Sequence, residues 1–172
     1  MKPFTYLVEV AGSCNLKCPS CPQGNSSQLK HQRGFMDVNL FSKIVEKISK
    51  EPVFVQTLAL HNWGEALLHP QLPELINIAN NYNLCCILSS NFNYIKNLDK
   101  IIAASPNQLR ISLSGFSNDT YKRTHRKGDI DLVKSNMVEL RKILDHHASP
   151  TRIEVCYHKY LDNTGKELAD SV

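Results

Sequence analysis

The sequence predicts an α/β fold in which parallel β/α units form a partial, open barrel of the TIM type with about five to six units. Short apolar runs alternate with longer stretches of helical spacing, and polar clusters follow the first four apolar runs. Strands that alternate with helices form parallel sheets with right-handed crossovers. The chain has 172 residues. A complete eight-unit barrel takes about 250 residues, so this chain is too short to close one.

Five short apolar runs are the predicted strands. Each is rich in Val, Ile, Leu or Tyr and has the length of a strand buried in a parallel sheet. The predicted ranges are Thr5–Val10, Val55–His61, Cys85–Ser89, Gln108–Leu113 and Arg152–Tyr157. Strands in this number can curl into part of a barrel or lie in an open doubly wound sheet, and the pattern leaves both arrangements open.

Four stretches with apolar residues three and four positions apart are predicted helices. The first follows Asp37, a predicted N-cap, and Pro70 is predicted to open the second. The third lies around residues 95–102, and the fourth is predicted to be capped by Asp131. A further helix is predicted to start near Lys166.

We expect residues 1–172 to form one core domain that is incomplete at its C-terminus, because the chain stops soon after the fifth predicted strand. The chain is then either a fragment of a longer protein or an unusually short member of its class. Its formal net charge of +4 is spread without a run of like charges. That charge pattern does not indicate nucleic-acid binding.

No membrane span and no export signal are predicted. No stretch approaches the roughly 18 apolar residues of a membrane span, and Glu9 interrupts the apolar run that opens the chain. The six cysteines are therefore expected to be reduced thiols or ligands rather than disulfides. The expected compartment is the cytoplasm.

Polar clusters stand at the ends of the predicted strands. Residues 61–65 follow the second strand, residues 89–91 follow the third, and residues 112–115 lie at the end of the fourth. A loop that carries three cysteines follows the first strand. Because the carboxyl ends of parallel strands share one edge of the sheet, we expect the active site at that edge.

The cysteine loop has the spacing Cys-x₃-Cys-x₂-Cys, formed by Cys14, Cys18 and Cys21. Thiolates suit iron–sulfur clusters, zinc and copper(I). A structural zinc site uses four ligands in paired spacing, and the cluster ferredoxins use a Cys-x₂-Cys-x₂-Cys run with a fourth cysteine. Three thiolates on a four-iron cube leave one iron free to bind a small chelating molecule. The spacing therefore favours a reaction centre over an electron relay.

This spacing after a first strand resembles the signature of the radical S-adenosylmethionine (SAM) superfamily. Trp63-Gly64-Glu65 resembles the family's Gly-Gly-Glu segment, which holds the methionine amino group of SAM. Residues 121–128 resemble a segment of the subgroup with a C-terminal SPASM or twitch extension, and we expect that extension to be absent here. The SAM-binding residues that the resemblance implies are Gly64, Glu65, Ser89, Asn91, Ser112 and Arg126.

The resemblance also implies cofactors, chemistry and partners. The implied cofactors are one 4Fe–4S cluster and SAM. Reductive cleavage of SAM yields methionine and a 5′-deoxyadenosyl radical that abstracts hydrogen from a substrate. The implied partner is a one-electron reductant such as flavodoxin or ferredoxin. The substrate is not specified by these motifs, and a peptide is implied by the subgroup resemblance alone.

Two positions depart from the family pattern. Ser20 stands where members more often carry an aromatic residue, and Trp63 replaces the first glycine of Gly-Gly-Glu. Two alternatives to the enzyme remain: an iron–sulfur electron carrier or sensor with a fourth protein ligand, and an inactive partner subunit. The other cysteines, Cys85, Cys86 and Cys156, are predicted to pack in strands rather than to bind metal.

Overall fold

The computed structural model describes residues 3–25, 34–161 and 163–164. Within these residues, five parallel strands form one sheet in the order β1-β2-β3-β4-β5. A doubly wound sheet reverses its strand order at a switch point, whereas a barrel adds each strand beside the one before it. The sequential order therefore selects the partial barrel, and the predicted fold class is confirmed.

The strands match the predicted runs, with shifts at their ends. The observed bounds are β1 Pro3–Leu7, β2 Phe54–Ala59, β3 Cys86–Ser90, β4 Gln108–Leu113 and β5 Arg152–Tyr157. The last two strands have the predicted bounds. β1 ends earlier than predicted, although the Val8 amide still donates to the Ala59 carbonyl at 2.9 Å.

Six helices connect or flank the strands in the described residues. They are α1 Pro22–Asn25, α2 Val38–Ser49, α3 Leu72–Asn81, α4 Leu98–Ala103, α5 Asn118–Thr124 and α6 Ile130–His147. Apolar side chains of α2, α3, α4 and α6 join one hydrophobic cluster with one face of the sheet. On β4 this face carries Leu109, Ile111 and Leu113, which are buried. The opposite, concave face is free to carry polar side chains.

Three helix predictions need correction or fall outside the described residues. The second helix begins at Leu72 rather than at Pro70, because a 3₁₀ turn at Ala66–Leu68 comes before it and a proline already stands in its first turn. The third begins at Leu98, later than predicted. Helix α5 was not predicted, because its seven residues bury only Tyr121 and show no apolar stripe. The predicted helix start near Lys166 lies outside the described residues.

The N-cap of α6 is Asp129 and not the predicted Asp131. The Asp129 carboxylate accepts hydrogen bonds from the Asp131 and Leu132 amides at 2.9 and 3.4 Å. The Asp131 carboxylate instead accepts from the Asn118 side chain at 2.8 Å. Both residues fit the sequence pattern of an N-cap, and only the backbone geometry shows which of the two caps the helix. The predicted cap of α2 is confirmed, since Asp37 accepts from the Leu40 amide at 3.0 Å.

We expect Asp129→Ala to lower the free energy of unfolding by about 1 kcal/mol, because it removes an N-cap. The matched variant Asp131→Ala is expected to cost less than half of that, since it removes only exposed side-chain contacts. Urea unfolding followed by circular dichroism measures both. Equal losses would mean that the cap does not stabilise α6.

None of the helices in the described residues is long and apolar enough to cross a membrane.

Candidate functional site

A cavity of about 240 Å³ opens at the carboxyl edge of the sheet. Eight of the nine predicted site residues line it: the three loop cysteines with Gly64, Glu65, Ser89, Asn91 and Ser112. The volume is slightly below the roughly 300–1,000 Å³ of typical small-molecule sites, so a ligand as large as SAM would extend beyond it. The polar residues that follow separate strands thus meet at one place.

The cysteine loop lies directly against the segment that follows β2. The Glu65 amide donates to the Ser13 carbonyl at 2.8 Å, and the Cys21 thiol lies 3.9 Å from the Trp63 carbonyl. A Cβ atom on Gly64 would lie 1.6 Å from the carbonyl oxygen of Ala11. Only glycine permits the two backbones to approach this closely. The structure thus gives Gly64 a steric role in shaping the cysteine loop.

Glu9, two residues after the end of β1, holds the segment that follows β2. It was not predicted as a site residue. Its Oε1 atom accepts hydrogen bonds from the Trp63 amide at 2.7 Å and the Gly64 amide at 2.8 Å. Carboxylates that accept backbone N–H groups form strong, charge-assisted bonds. The sequence analysis placed Glu9 inside the predicted strand Thr5–Val10, and only the observed end of β1 at Leu7 puts this acid at the polar edge of the sheet.

Asn91 links the acid of the segment after β2 to the cysteine loop. Its amide donates to Glu65 Oε2 at 2.9 Å. Its side-chain Nδ2 donates to Asn15 Oδ1 at 2.9 Å and lies 3.7 Å from the Cys14 sulfur. The predicted site residue Asn91 therefore contacts both the cysteine loop and Glu65.

The backbone just after Asn91 is held in a conformation that non-glycine residues rarely adopt. Phe92 has a φ of 58° and a fully buried side chain. Its amide donates to Ser90 Oγ at 2.9 Å, and its carbonyl accepts from the Asn136 side chain at 2.9 Å. Such backbone strain persists where surrounding contacts over-determine it, as here beside the cavity.

Glu65 is almost fully buried, with 2% of its surface exposed. Its Oε1 accepts from the Leu67 amide at 3.1 Å, and its Oε2 accepts from Asn91. Burial raises the pKa of the Glu65 carboxyl, while hydrogen bonds from Asn91, Leu67 and Ser90 oppose that shift. The acid is thus held in place by the backbone and lines the cavity beside Cys14.

Arg126 is exposed and is the one predicted site residue that does not line the cavity. Its backbone carbonyl, rather than its guanidinium, contacts the cysteine loop, accepting from the Lys17 amide at 3.0 Å. On the other side of the loop, a Cβ on Gly24 would lie 2.4 Å from the Cys18 carbonyl oxygen. Gly24 was not predicted, although a glycine three residues after the last loop cysteine is readable from the sequence.

The three loop cysteines are free, half-buried thiols. Burial raises the pKa of Cys14, and burial with the neighbouring cysteines raises the pKa of Cys18 to about 11, so both hold their protons until a metal displaces them. No three His, Cys, Asp or Glu side chains of the described residues converge on a single ion. Thiols that bind separate irons of a cube need not converge, and soft sulfur donors suit such a cluster.

The wall of the cavity beneath α5 contains residues that the sequence analysis missed. His125 is buried, and its Nδ1 lies 2.5 Å from Ser114 Oγ, while its ring stacks on Tyr121 at 4.5 Å. Burial, then the nearby His158, lowers the pKa of His125 to about 4, so the ring is neutral at physiological pH.

His158 and Tyr160 line the same wall just after β5. The Tyr160 hydroxyl lies 3.2 Å from Ser20 Oγ, which brings an aromatic residue beside the position where the family pattern carries one. Both residues follow the fifth predicted strand, so the sequence places them at the same carboxyl edge as the clusters after the first four strands.

A family model described as the Radical SAM superfamily matches residues 8–155. The chain belongs to the radical SAM superfamily. GTP 3′,8-cyclase of Chlorobaculum tepidum is 24% identical over 136 residues, which cover 77% of this chain and 39% of the cyclase. The chain thus spans well under two thirds of that relative.

Solved structures of the superfamily share the fold. Streptococcus suis SuiB bound to S-adenosylmethionine matches with a TM-score of 0.71 and 18% identity, over 98% of this chain and 37% of SuiB. SuiB bound to the precursor peptide SuiA matches with a TM-score of 0.70 and 16% identity, over 98% of this chain and 36% of SuiB. At these identities the likeness shows the fold, and the partial barrel of this radical SAM chain agrees with it.

The remaining cysteines of this radical SAM chain lie away from the cavity lining. Cys86 is fully buried in the hydrophobic cluster, and the half-buried Cys156 donates to Glu154 Oε1 at 3.3 Å. Replacing Cys85, Cys86 and Cys156 together with alanine is therefore expected to leave the iron content of the reconstituted protein unchanged. Iron analysis and urea unfolding measure the effect. A folded triple variant that loses iron would identify a fourth protein ligand.

Proposed function

We propose that this chain is the core of a radical SAM enzyme that holds a 4Fe–4S cluster on Cys14, Cys18 and Cys21. One observation carries the proposal: the three half-buried thiols line the same cavity as Gly64, Glu65 and Asn91. Two of them contact the flanking segments, Cys14 at the Asn91 side chain and Cys21 at the Trp63 carbonyl. A cluster bound by three thiols keeps one iron open to a chelating ligand. The segments that touch the thiols are those that the family resemblance assigns to SAM.

The chain's own residues would bind and orient SAM around that open position. Glu65 offers a fixed carboxylate to the methionine ammonium, and Gly64 keeps the backbone beside the cysteine loop free of a side chain. Ser89, Asn91 and Ser112 present polar groups along the cavity. When bound, the cluster supplies the electron that cleaves SAM into methionine and a 5′-deoxyadenosyl radical.

The proposed contact between Arg126 and the SAM carboxylate requires a movement of the Arg126 side chain. Its guanidinium would have to turn toward the cavity, whose lining it does not join in this structure. A forked guanidinium suits a carboxylate, so the role stays a prediction. Membership of the SPASM or twitch subgroup, which rests partly on this segment, stays a prediction as well.

The partners and the wider context are proposals too. A one-electron reductant such as flavodoxin or ferredoxin would feed the cluster, and the cytoplasm would keep its thiols reduced. A peptide substrate is supported by the likeness to SuiB, which has been solved with a precursor peptide. We keep residues 1–172 as the proposed core domain, and its substrate would be set by parts that vary among proteins of this fold.

The test is the effect of SAM on the reduced cluster. The anaerobically reconstituted protein is expected to bind about four irons per chain, as a 4Fe–4S cube requires. Adding SAM should change the electron paramagnetic resonance spectrum of the reduced cluster, because SAM binds the open iron. The Cys85/Cys86/Cys156→Ala variant serves as the control and should show the same change. If the spectrum of the reduced cluster does not change when SAM is added, the result would favour an iron–sulfur electron carrier or sensor over an enzyme.

A further inference from the structure

A row of polar residues crosses the concave face of the sheet below the cysteine loop. Ser89 pairs with Arg110, and Arg110 pairs with Glu154, in the strand register. Ile87, two residues before Ser89 on β3, pairs with Ala59 of β2, and Ala59 pairs with Leu7 of β1. Side chains two residues apart share a face, so the row continues through His61 to Glu9. In the order of the strands from β1 to β5, the row consists of Glu9, His61, Ser89, Arg110 and Glu154.

The two acids at the ends of the row are already engaged. Glu9 accepts the backbone N–H groups of Trp63 and Gly64. Glu154 accepts from the Gln108 side chain and from the Cys156 thiol. These carboxylates are therefore tied to the protein, and the centre of the row is the part that can serve a ligand.

The centre of the row holds two unsatisfied nitrogen atoms. His61 Nε2 and Arg110 Nε are buried, and neither has a hydrogen-bond partner within the described residues. Arg110 forms an ion pair with Glu154, with Nε 3.6 Å from Glu154 Oε2, and that distance is longer than a hydrogen bond. A buried polar atom without a partner is unfavourable, so these two nitrogen atoms are suited to a ligand that accepts hydrogen bonds.

The guanidinium at the centre of the row suits an anionic ligand, because its Nε atom remains a donor without a hydrogen-bond partner beside the ion pair with Glu154. Burial first, and then the positive charge of Arg110, lowers the pKa of His61 to about 4, with Glu9 acting in the opposite direction. The imidazole is therefore neutral, and Arg110 is the cation at the centre of the row. Ser89 lies between them in the row and lines the cavity together with His61, whereas Arg110 stands next to that lining without being part of it. Adjacent strands are about 4.8 Å apart, so both long side chains can reach a group above Ser89.

We propose that His61 and Arg110 form an oxyanion site that binds a carboxylate or phosphate group of the substrate. One ligand oxygen above Ser89 would accept from His61 Nε2, and another would accept from Arg110 Nε. The assignment of the anion to the substrate rests on the proposed function, whereas the oxyanion site itself does not. The substrate would then be an anionic molecule that lies beside SAM with its acidic group toward the sheet.

Anion titration of the 172-residue chain without cluster tests the oxyanion site. Inorganic phosphate and acetate are the two probes, and the side-chain ¹⁵N signals of histidine report on His61. We expect the His61 Nε2 signal to shift and saturate with at least one probe, and the tighter probe identifies phosphate or carboxylate as the preferred group. No saturable shift with either probe would overturn the proposal.

Variants separate the site from unspecific ion binding. Arg110→Gln is expected to weaken binding of the preferred probe by about tenfold or more, the value of one charge-assisted hydrogen bond. Arg141→Gln removes the same charge from an exposed ion pair on α6 and should leave binding unchanged. His61→Gln provides a second test if Arg110→Gln does not fold. Equal affinity in the wild type and in a folded Arg110 or His61 variant would overturn the proposal.

A competition experiment distinguishes the substrate from SAM, which also carries a carboxylate. The cluster-loaded protein is titrated with the preferred probe, with and without saturating SAM, and binding is followed by calorimetry. Simultaneous binding supports a substrate site, whereas displacement by SAM assigns the oxyanion site to SAM and overturns the substrate assignment. Because the first titration needs neither cluster nor SAM, failure of the proposed function would not disturb it.

Discussion

Gly64→Ala is expected to disrupt the site more than alanine at any other glycine of the described residues. The new Cβ would lie 1.6 Å from the Ala11 carbonyl oxygen, 2.8 Å from the Ala11 carbonyl carbon and 3.1 Å from the Ser13 carbonyl oxygen. These are backbone atoms, so no side chain can rotate away. The segment after β2 must then separate from the backbone that leads into the cysteine loop.

We expect the free energy of unfolding to fall by about 3 kcal/mol, at the upper end of overpacking costs, and the bound iron to fall several-fold. Urea unfolding and iron analysis after anaerobic reconstitution measure these effects. Gly34→Ala is the matched control, since nothing lies within 4 Å of its Cβ position although its φ is +147°. It should lose stability through backbone strain and keep its iron. A Gly64→Ala variant with wild-type iron content would contradict this reading.

Glu65→Gln is expected to weaken both the fold and the affinity for SAM. The two carboxylate oxygens of Glu65 accept from two different backbone amides, one from Leu67 and one from Asn91. A glutamine amide has only one oxygen, so one buried N–H group would face an NH₂ group. Leaving a buried donor unsatisfied costs about 1–3 kcal/mol. The lost negative charge also removes the proposed partner of the SAM ammonium.

Glu9→Gln is the matched control because both of its backbone partners bind one oxygen, Oε1. A glutamine carbonyl can keep both bonds, so the loss of stability should be smaller. Urea unfolding measures stability, and SAM titration of the cluster-loaded protein should show at least about a tenfold loss of affinity for Glu65→Gln alone. Equal behaviour of the two variants would show that Glu65 is only one more buried acid.

Local pattern was enough to predict the parallel strands and the edge of the sheet at which the polar residues gather. The bounds predicted for β4 and β5 from their apolar runs match the observed ones. The polar residues at the ends of the strands meet around one cavity. Element ends were less certain because they depend on contacts made in three dimensions. Asp129 and Asp131 both fit a cap, for example, and the choice between them depends on backbone geometry.

Residues missed by the sequence analysis act through partners far along the chain. Glu9 reaches amides more than fifty residues away, and His125 is held by Ser114 beneath a stacked tyrosine. No local periodicity encodes such pairs. The predicted contact between the Arg126 side chain and SAM stays a prediction, and the structure adds a backbone contact between Arg126 and the cysteine loop.

Formation of 5′-deoxyadenosine is the most direct test of the central claim that the cysteine cavity cleaves SAM. The protein is reconstituted anaerobically with iron and sulfide, reduced with dithionite and incubated with SAM. The Cys14/Cys18/Cys21→Ala variant is the control. We predict that the wild type forms 5′-deoxyadenosine and methionine and that the variant forms neither. A wild-type protein that holds its cluster and yet leaves SAM intact would contradict the claim.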